Sequence, residues 1–206
     1  MGAADNFLEL TKARRSIYAL SNASTIPDSR VEEIVKHAVT WAPSSYNVQS
    51  ARAVVVLGAE HNKLWAIVKK HMDQVPMDEG IKGYLAGRIN GFNSSYGTVM
   101  WFEDQAALDA LGEKNPMVVP LLTEFSDHSS GMHQFIAWTA LEAEGLGCNL
   151  QHFNFHPGIV ADVKSTWGLP DTWKLKSQLV FGKPSAGPDH EKTFEPIEKR
   201  VMVKKS

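Results

Sequence analysis

Apolar positions follow two rhythms along the chain. After Pro27, Val31, Ile34, Val35, Ala38, Val39 and Ala42 recur at helical spacing, with Ser29 and Glu32 spaced as a capping box and Pro43 as the stop. Upstream, Asp5 is placed to cap a shorter helix through Phe7, Leu8 and Leu10, which leaves Arg14, Arg15 and Ser16 at its C-terminal end and an extended Ile17 to Leu20 beyond. The unbroken apolar run from Ala53 to Leu57, ended by Gly58, predicts a strand covered on both faces. Helical spacing resumes over Lys63 to Met72 and after Pro76. Thr98 to Phe102 predicts a second strand, and Pro116 to Phe125 a helix interrupted by Pro120. The clearest helix runs from about Asp127 to Glu144, carrying Phe135, Ala137, Trp138 and Leu141 on one side, with Gly145 just past its end. Gly147 to Phe153 and Leu175 to Phe181 predict two further strands around a helix from Gly158 to Trp167.

This order predicts an α+β fold around one sheet. From Pro184 to Ser206 the chain carries charges, three prolines and almost no helical periodicity, too little apolar surface for a core of its own. It is therefore either a loose tail or a segment laid on another surface. With no repeat and no break in composition, residues 1–206 read as one domain, with 76–97 and 184–196 as the expected mobile stretches.

Composition narrows the partners. The 21 basic and 23 acidic residues give a net charge of −2, so the chain as a whole has no attraction for a polyanion, and neither nucleic acid nor an anionic membrane is expected to bind it. A single cysteine, Cys148, cannot form an intrachain disulfide, and no apolar run approaches the roughly 20 residues that span a bilayer. A cytoplasmic protein without secretion signal or anchor is expected.

Familiar catalytic motifs are missing. Gly145-Leu146-Gly147 begins like a dinucleotide fingerprint, but Leu150 takes the third glycine position and the motif follows a helix instead of a strand. There is no phosphate-binding P-loop and no Gly-x-Ser-x-Gly. His152 and His156 have metal-ligand spacing, but Pro157 follows and no carboxylate accompanies them, so no metal site is assigned. Cys148, in an apolar stretch, reads as a buried thiol. An enzyme without its own acid, base or nucleophile takes its chemistry from a cofactor.

Three segments remain. Arg14-Arg15-Ser16 offers two guanidinium forks and a hydroxyl, a dense donor set for a terminal phosphate that could equally serve the negative end of the first helix. Pro43-Ser44-Ser45-Tyr46-Asn47-Val48-Gln49 packs hydroxyls and amides at a helix-to-strand transition, suited to the edge of a planar heterocycle or to an ordinary polar turn. Leu150-Gln151-His152 ends a strand, near two glycines that permit close backbone approach.

Together with Ile17-Tyr18-Ala19-Leu20, Trp101-Phe102-Glu103-Asp104 and Phe181-Gly182-Lys183-Pro184, these segments make the chain resemble the FMN-dependent nitroreductase family, in particular its short fungal and bacterial branch, over nearly its full length. The resemblance implies a nitroreductase-like α+β fold, a central mixed sheet flanked by helices and completed by homodimerisation, with two FMN clefts at the subunit interface. It implies that Arg14, Arg15 and Ser16 hold the phosphate and ribityl chain, that Pro43, Ser44, Ser45 and Asn47 reach the flavin from the opposite subunit, and that Leu150, Gln151 and His152 lie along the isoalloxazine edge. Many relatives carry a C-terminal basic pair before a proline; here Lys192 matches the first member and Phe194 departs from the second, leaving Arg15, Lys183 or Arg200 to supply the charge. Tyr18 also departs, standing where several relatives have lysine. The tail from 184 to 206 would wrap the partner subunit.

The implied activity is FMN-dependent NAD(P)H oxidoreduction: NADH or NADPH gives hydride to the flavin, and a small aromatic acceptor, nitroaromatic or quinone-type, then takes it in a ping-pong cycle. No side-chain general acid is required, and no catalytic residue is assigned. Phe92, Tyr96, Phe125 and Met132 are the apolar candidates for the open face. A flavin-binding sensor or storage protein without turnover is the alternative, and a flavin-free interaction module is disfavoured by three polar segments that suit one ligand.

Overall fold

The computed structural model describes residues 2–205. Seven α-helices and five strands follow in the order α1 (Asp5–Ala13), β1 (Leu20–Ser21), α2 (Asp28–Trp41), β2 (Ala51–Leu57), α3 (Gly58–Met72), α4 (Glu79–Asn93), β3 (Gly97–Asp104), α5 (Gln105–Lys114), α6 (Leu122–Ala143), β4 (Gly147–Gln151), α7 (Pro157–Trp167) and β5 (Trp173–Pro184). β5 is the hub. It pairs with β3 on one side and with β4 and then β1 on the other, and β3 pairs with β2, which forms the far edge. All four named pairings are antiparallel; the mixed character of the sheet rests on one parallel bridge between Ser16 and Cys148.

Strand alternation divides the core into two layers. Met100, Phe102 and Val180 face Leu64, Trp65, Val68, Phe92, Ile159 and Val163 under α3, α4 and α7, whereas Val99, Trp101, Leu179 and Phe181 face Val31, Ile34, Val35 and Leu141 under α2 and α6. β3 is buried along nearly its whole length because both layers close on it. The run at 53–57 is instead an edge strand, and Ala53, Val54, Val55 and Leu57 are only partly covered within one chain. An apolar run shows that a strand is to be covered without showing by which chain.

Helix ends differ from the sequence expectation in small ways with clear causes. α2 begins at Asp28 with Pro27 as its cap, and Ser29 lies inside the first turn, so the capping box does not form. The Pro27 carbonyl accepts from Arg30 N at 2.9 Å, and Asp28 places a negative charge at the positive end of the helix. Asp5 likewise sits within the first turn of α1, after Ala4. Pro116–Leu121 forms a 3-10 turn that holds Pro120, after which α6 runs unbroken for 22 residues and is capped by Gly145 at φ 82°. α5 is an additional helix. Its Asp104 cap accepts from Ala106 N at 3.2 Å, and the Ala-Ala-Leu-x-x-Leu spacing that follows is the signal that identifies it. The stretch expected to be mobile at 76–97 is mostly the helix α4.

α4 is tied to the core through a buried relay. Trp65 Nε1 donates to Thr98 Oγ1 (3.1 Å), which lies 3.1 Å from His61 Nδ1, while His61 Nε2 stands 3.0 Å from the Phe92 carbonyl. Burial holds the His61 pKa down to about 4 against hydrogen bonds from the α4 end that raise it. A histidine kept neutral in the folded state stabilises the fold fully above its unfolded pKa near 6.5, and that contribution, about 3 kcal/mol, is lost as pH falls toward 4. His61→Gln should therefore flatten the pH dependence of the melting temperature between pH 6.5 and 4. A variant whose profile parallels the wild type over that window would show that His61 does not carry the effect. Among the described residues no helix is long and apolar enough to cross a membrane.

Candidate functional site

The chain bends sharply where α1 ends. Arg14 is the C-cap of α1, and its backbone then turns extended, so Arg15, Ser16 and Ile17 run beside β4. Ile17 N donates to the Cys148 carbonyl (2.8 Å), and Asn149 Nδ2 donates back to the Ile17 carbonyl (2.9 Å). Gly147 makes this approach possible, because a Cβ there would stand 2.9 Å from Leu20 Cδ2 and 3.0 Å from Ile17 Cβ. The Arg14–Ser16 arm and the Leu150–His152 strand end thus belong to one edge of the sheet. Leu150 and Gln151 are half-buried there, with Gln151 Nε2 bonded to Asn149 Oδ1 (2.9 Å), and His152 is exposed just beyond.

The arm is a cationic patch. The Arg14 guanidinium lies 4.3 Å from the centroid of the Trp138 ring on α6, and Arg15 Nη2 donates to the His190 carbonyl at 2.5 Å. Neither guanidinium is paired with a carboxylate among the described residues. Glu142, the acid nearby, is engaged by Arg15 N and Trp138 Nε1, both at 2.9 Å, and its pKa is pushed up by burial. Two half-buried arginines that touch no carboxylate among the described residues, beside a serine, form a donor set suited to a phosphate dianion, with Glu142 acting on Arg14 only at longer range.

A third arginine joins them. Arg88 on α4 stacks 3.5 Å from the Tyr18 ring centroid and reaches Asp189 at 3.7 Å, one residue before the His190 that Arg15 holds. Tyr18 therefore brings in a cation through its ring, where the sequence shows only the loss of a lysine. Lys183 and Arg200 are exposed at the end of β5 and in the tail, and Lys192 Nζ lies 5.5 Å over the Phe194 ring. Arg88 and Trp138 carry no local motif; only the packing of α4 and α6 against the arm reveals them.

The Pro43–Asn47 segment does not join this group within one chain. Gln151 is level with Gln178, Met100 and Val54 across the sheet, so β4 and β2 are three strand spacings apart, about 14 Å, and residues before Ala51 lie farther still. Ser44 and Ser45 are half-buried, while Pro43 and Asn47 are exposed. Tyr46, Asn47 and Gln49 all take left-handed backbone angles (φ 56°, 52° and 50°), and Tyr46 packs toward Phe125 with ring centroids 6.3 Å apart. A cleft of about 470 Å³ opens between this turn and α5, lined by Tyr46, Asn47, Val48, Ala107, Leu111 and Lys114.

Of the four apolar candidates, Phe92 is a core residue, 4.9 Å from Trp65, and is removed from any open face. Tyr96 is committed to Asp28 through its hydroxyl. Phe125 and Met132 remain accessible on α6, the latter 37% exposed. Cys148 is fully buried with its pKa raised by burial, and His133 is buried with its pKa lowered by burial. His156 packs on His71 with centroids 5.1 Å apart. The arm presents cationic donors, and the buried thiol beside it, Cys148, is kept protonated by burial and shielded from solvent.

Comparison with known proteins agrees with this reading of the fold. The nitroreductase family model matches residues 11–183. Two Saccharomyces cerevisiae proteins, HBN1 and the nitroreductase FRM2, are 35% and 34% identical over 198 and 200 residues, each match covering 94% of this chain and 95% of the relative. Nitroreductase CinD from Lactococcus lactis, solved in complex with chloramphenicol, is 36% identical with a TM-score of 0.85 over 97% of this chain and all of CinD; its complex with 4-nitrophenol gives 0.83. A Desulfovibrio desulfuricans protein in complex with FMN shares the fold at 17% identity and a TM-score of 0.66, over 96% of each chain. The chain belongs to the nitroreductase family.

Proposed function

We propose that this chain, a single unit over residues 1–206, is an FMN-dependent NAD(P)H oxidoreductase that works as a homodimer and reduces nitroaromatic or quinone-type acceptors. The observation that carries the reading is the pair Arg14 and Arg15, half-buried and in ion-pair contact with no carboxylate among the described residues, on an arm that the Ser16–Cys148 bridge ties to the strand ending at Leu150–His152. Relatives support it: CinD accepts two nitroaromatic molecules in its crystals, and a more distant protein of the same fold binds FMN.

Arg14, Arg15 and Ser16 would hold the phosphate and the start of the ribityl chain, with Lys192 and the Tyr18-stacked Arg88 adding charge. Leu150, Gln151 and His152 would line the ring edge with backbone groups and short polar side chains. When bound, FMN supplies the redox chemistry, taking hydride from NADH or NADPH and delivering two electrons to the acceptor in a ping-pong cycle. The chain's part is to bind the phosphate, fix the ring plane, keep one face open and offer donors where negative charge grows.

The strand order of the sheet supports sharing between subunits. Pro43, Ser44, Ser45 and Asn47 stand too far from the arm of their own chain, so they serve the cleft of the partner. The tail has the same logic: Phe194, Ile197 and Met202 are 73%, 62% and 78% exposed, apolar surface left uncovered within their own chain. β2 in turn leaves a free edge beside an apolar groove of about 400 Å³ lined by Val35, Val39, Ala53, Val55 and Trp173. Residues 184–206 would wrap the partner subunit and cover surface of this kind. One thiol and no disulfide suit a reducing cytoplasm.

Steady-state oxidation of NADH and NADPH by the FMN-loaded protein, with a nitroarene and a quinone as acceptors, tests the activity. Turnover with parallel double-reciprocal lines is expected. Stoichiometric FMN with no pyridine-nucleotide oxidation would replace the enzyme by a flavin sensor or store.

A further inference from the structure

The turn at 44–49 holds three non-glycine residues in left-handed conformations, and its exit is bolted to the sheet by side chains that touch no candidate ligand group. Within the turn, Ser44 accepts from Asn47 N through its carbonyl (2.9 Å) and from Gln49 N through its hydroxyl (3.1 Å). At the exit, Arg52 Nη1 donates to the carbonyls of Gln49 (2.8 Å) and Ala51 (2.9 Å), and Nη2 donates to Asp104 Oδ2 (3.0 Å). Asp104 N donates to the Ser50 carbonyl (2.8 Å), and Ser50 Oγ, fully buried, donates to Glu103 Oε2 (2.5 Å). Three of these links, Arg52–Asp104, Asp104–Ser50 and Ser50–Glu103, join β3 to the turn's exit, while Tyr46 and Asn47 at the tip are exposed. A polar tip on a rigid, strained stem is the construction expected where side chains must be held ready for a ligand outside their own chain.

We propose that Arg52, backed by Asp104 and the Glu103–Ser50 pair, is a positioning residue that fixes Ser45 and Asn47 for FMN in the partner subunit's cleft. The proposal rests on the functional reading above and goes beyond it by assigning the device that presents the turn in trans. Arg52 acts without touching the flavin. Its three hydrogen bonds tie the Gln49 and Ala51 carbonyls to the Asp104 carboxylate through two nitrogens of one planar guanidinium, a bridge that a single ammonium centre does not reproduce.

Equilibrium FMN titration of Arg52→Met, which keeps the aliphatic stem near Trp173, tests this. Roughly tenfold weaker FMN binding is expected, with dimer mass as in the wild type and the melting temperature only modestly lowered. The decisive arm is a mixed dimer of one Arg52→Met chain and one Arg14→Ala chain. If Arg52 acts in trans, one cleft collects both defects and the other has none, so half the sites bind FMN with wild-type affinity. If Arg52 acts on its own chain's cleft, each cleft carries one defect and no wild-type site is found, which overturns the proposal. Wild-type affinity in the Arg52→Met homodimer overturns it as well. Should Arg52→Met fail to dimerise, Arg52→Lys carries the same expectations. A wild-type dimer that binds no FMN would remove the functional reading and this inference together, whereas a flavin-binding wild type with an unperturbed Arg52 variant removes only the role of Arg52.

Discussion

Arg14→Ala should weaken FMN binding by roughly thirtyfold, the equivalent of about 2 kcal/mol for a lost charge-assisted phosphate contact. The side chain is half-buried, stacked on Trp138 and free of carboxylate partners among the described residues, so its hydrogen-bonding capacity is available to a ligand. Removing it leaves the strand end at 150–152 and the redox potential of any retained flavin largely untouched. The expected signature is a raised FMN Kd by fluorescence titration, with hydride transfer in the saturated variant close to that of the wild type. Full FMN occupancy at unchanged affinity would refute the phosphate assignment. Arg88→Ala should weaken binding in the same direction and by less, because Asp189 already draws on its charge.

Deletion of residues 186–206 should act on assembly before it acts on the cofactor. The tail presents Phe194, Ile197, Val201, Met202 and Val203 to solvent within a single chain, and burying even two of them on a partner is worth about 3 kcal/mol, more than a hundredfold in the dimer dissociation constant. The deletion also removes the His190 carbonyl that fixes Arg15 and the Asp189 carboxylate that pairs with Arg88. A truncated chain that dissociates at micromolar concentration and loses flavin on dilution is the expected outcome, measured by light scattering alongside absorbance. A truncated chain that stays dimeric with full affinity would show that the tail is not an interface.

Much of this is legible in the sequence alone, and the limits have physical causes. Helix spacing over 31–42 and 127–144 and the strands at 98–102 and 175–181 emerge in the structure because their apolar positions answer to one layer or two, a constraint written into adjacent residues. The 53–57 strand was legible as a strand but not as an edge, since its cover is not local. α5 carries its signal in a small alternation of Ala and Leu after Asp104, easily lost between two stronger elements. At the site, the chain leaving the Arg14–Ser16 arm packs on the strand that ends at 150–152 through Gly147, whose missing side chain is visible in the sequence. Arg88, Trp138 and Arg52 act through neighbours distant in sequence, and no spacing rule reaches them. Phe92 marks the opposite limit: an aromatic in the right region is more often needed by the core, where Trp65 and Phe153 hold it.

The most direct measurement is FMN titration of the purified full-length chain, with the mass of the complex followed by multi-angle light scattering at each point. Two equal flavin sites in a particle of twice the chain mass, lost together when the particle is dissociated, is the result expected of clefts built jointly by two copies. Saturable flavin binding by a stable single copy, or a dimer that takes up no flavin at any concentration, would contradict the account.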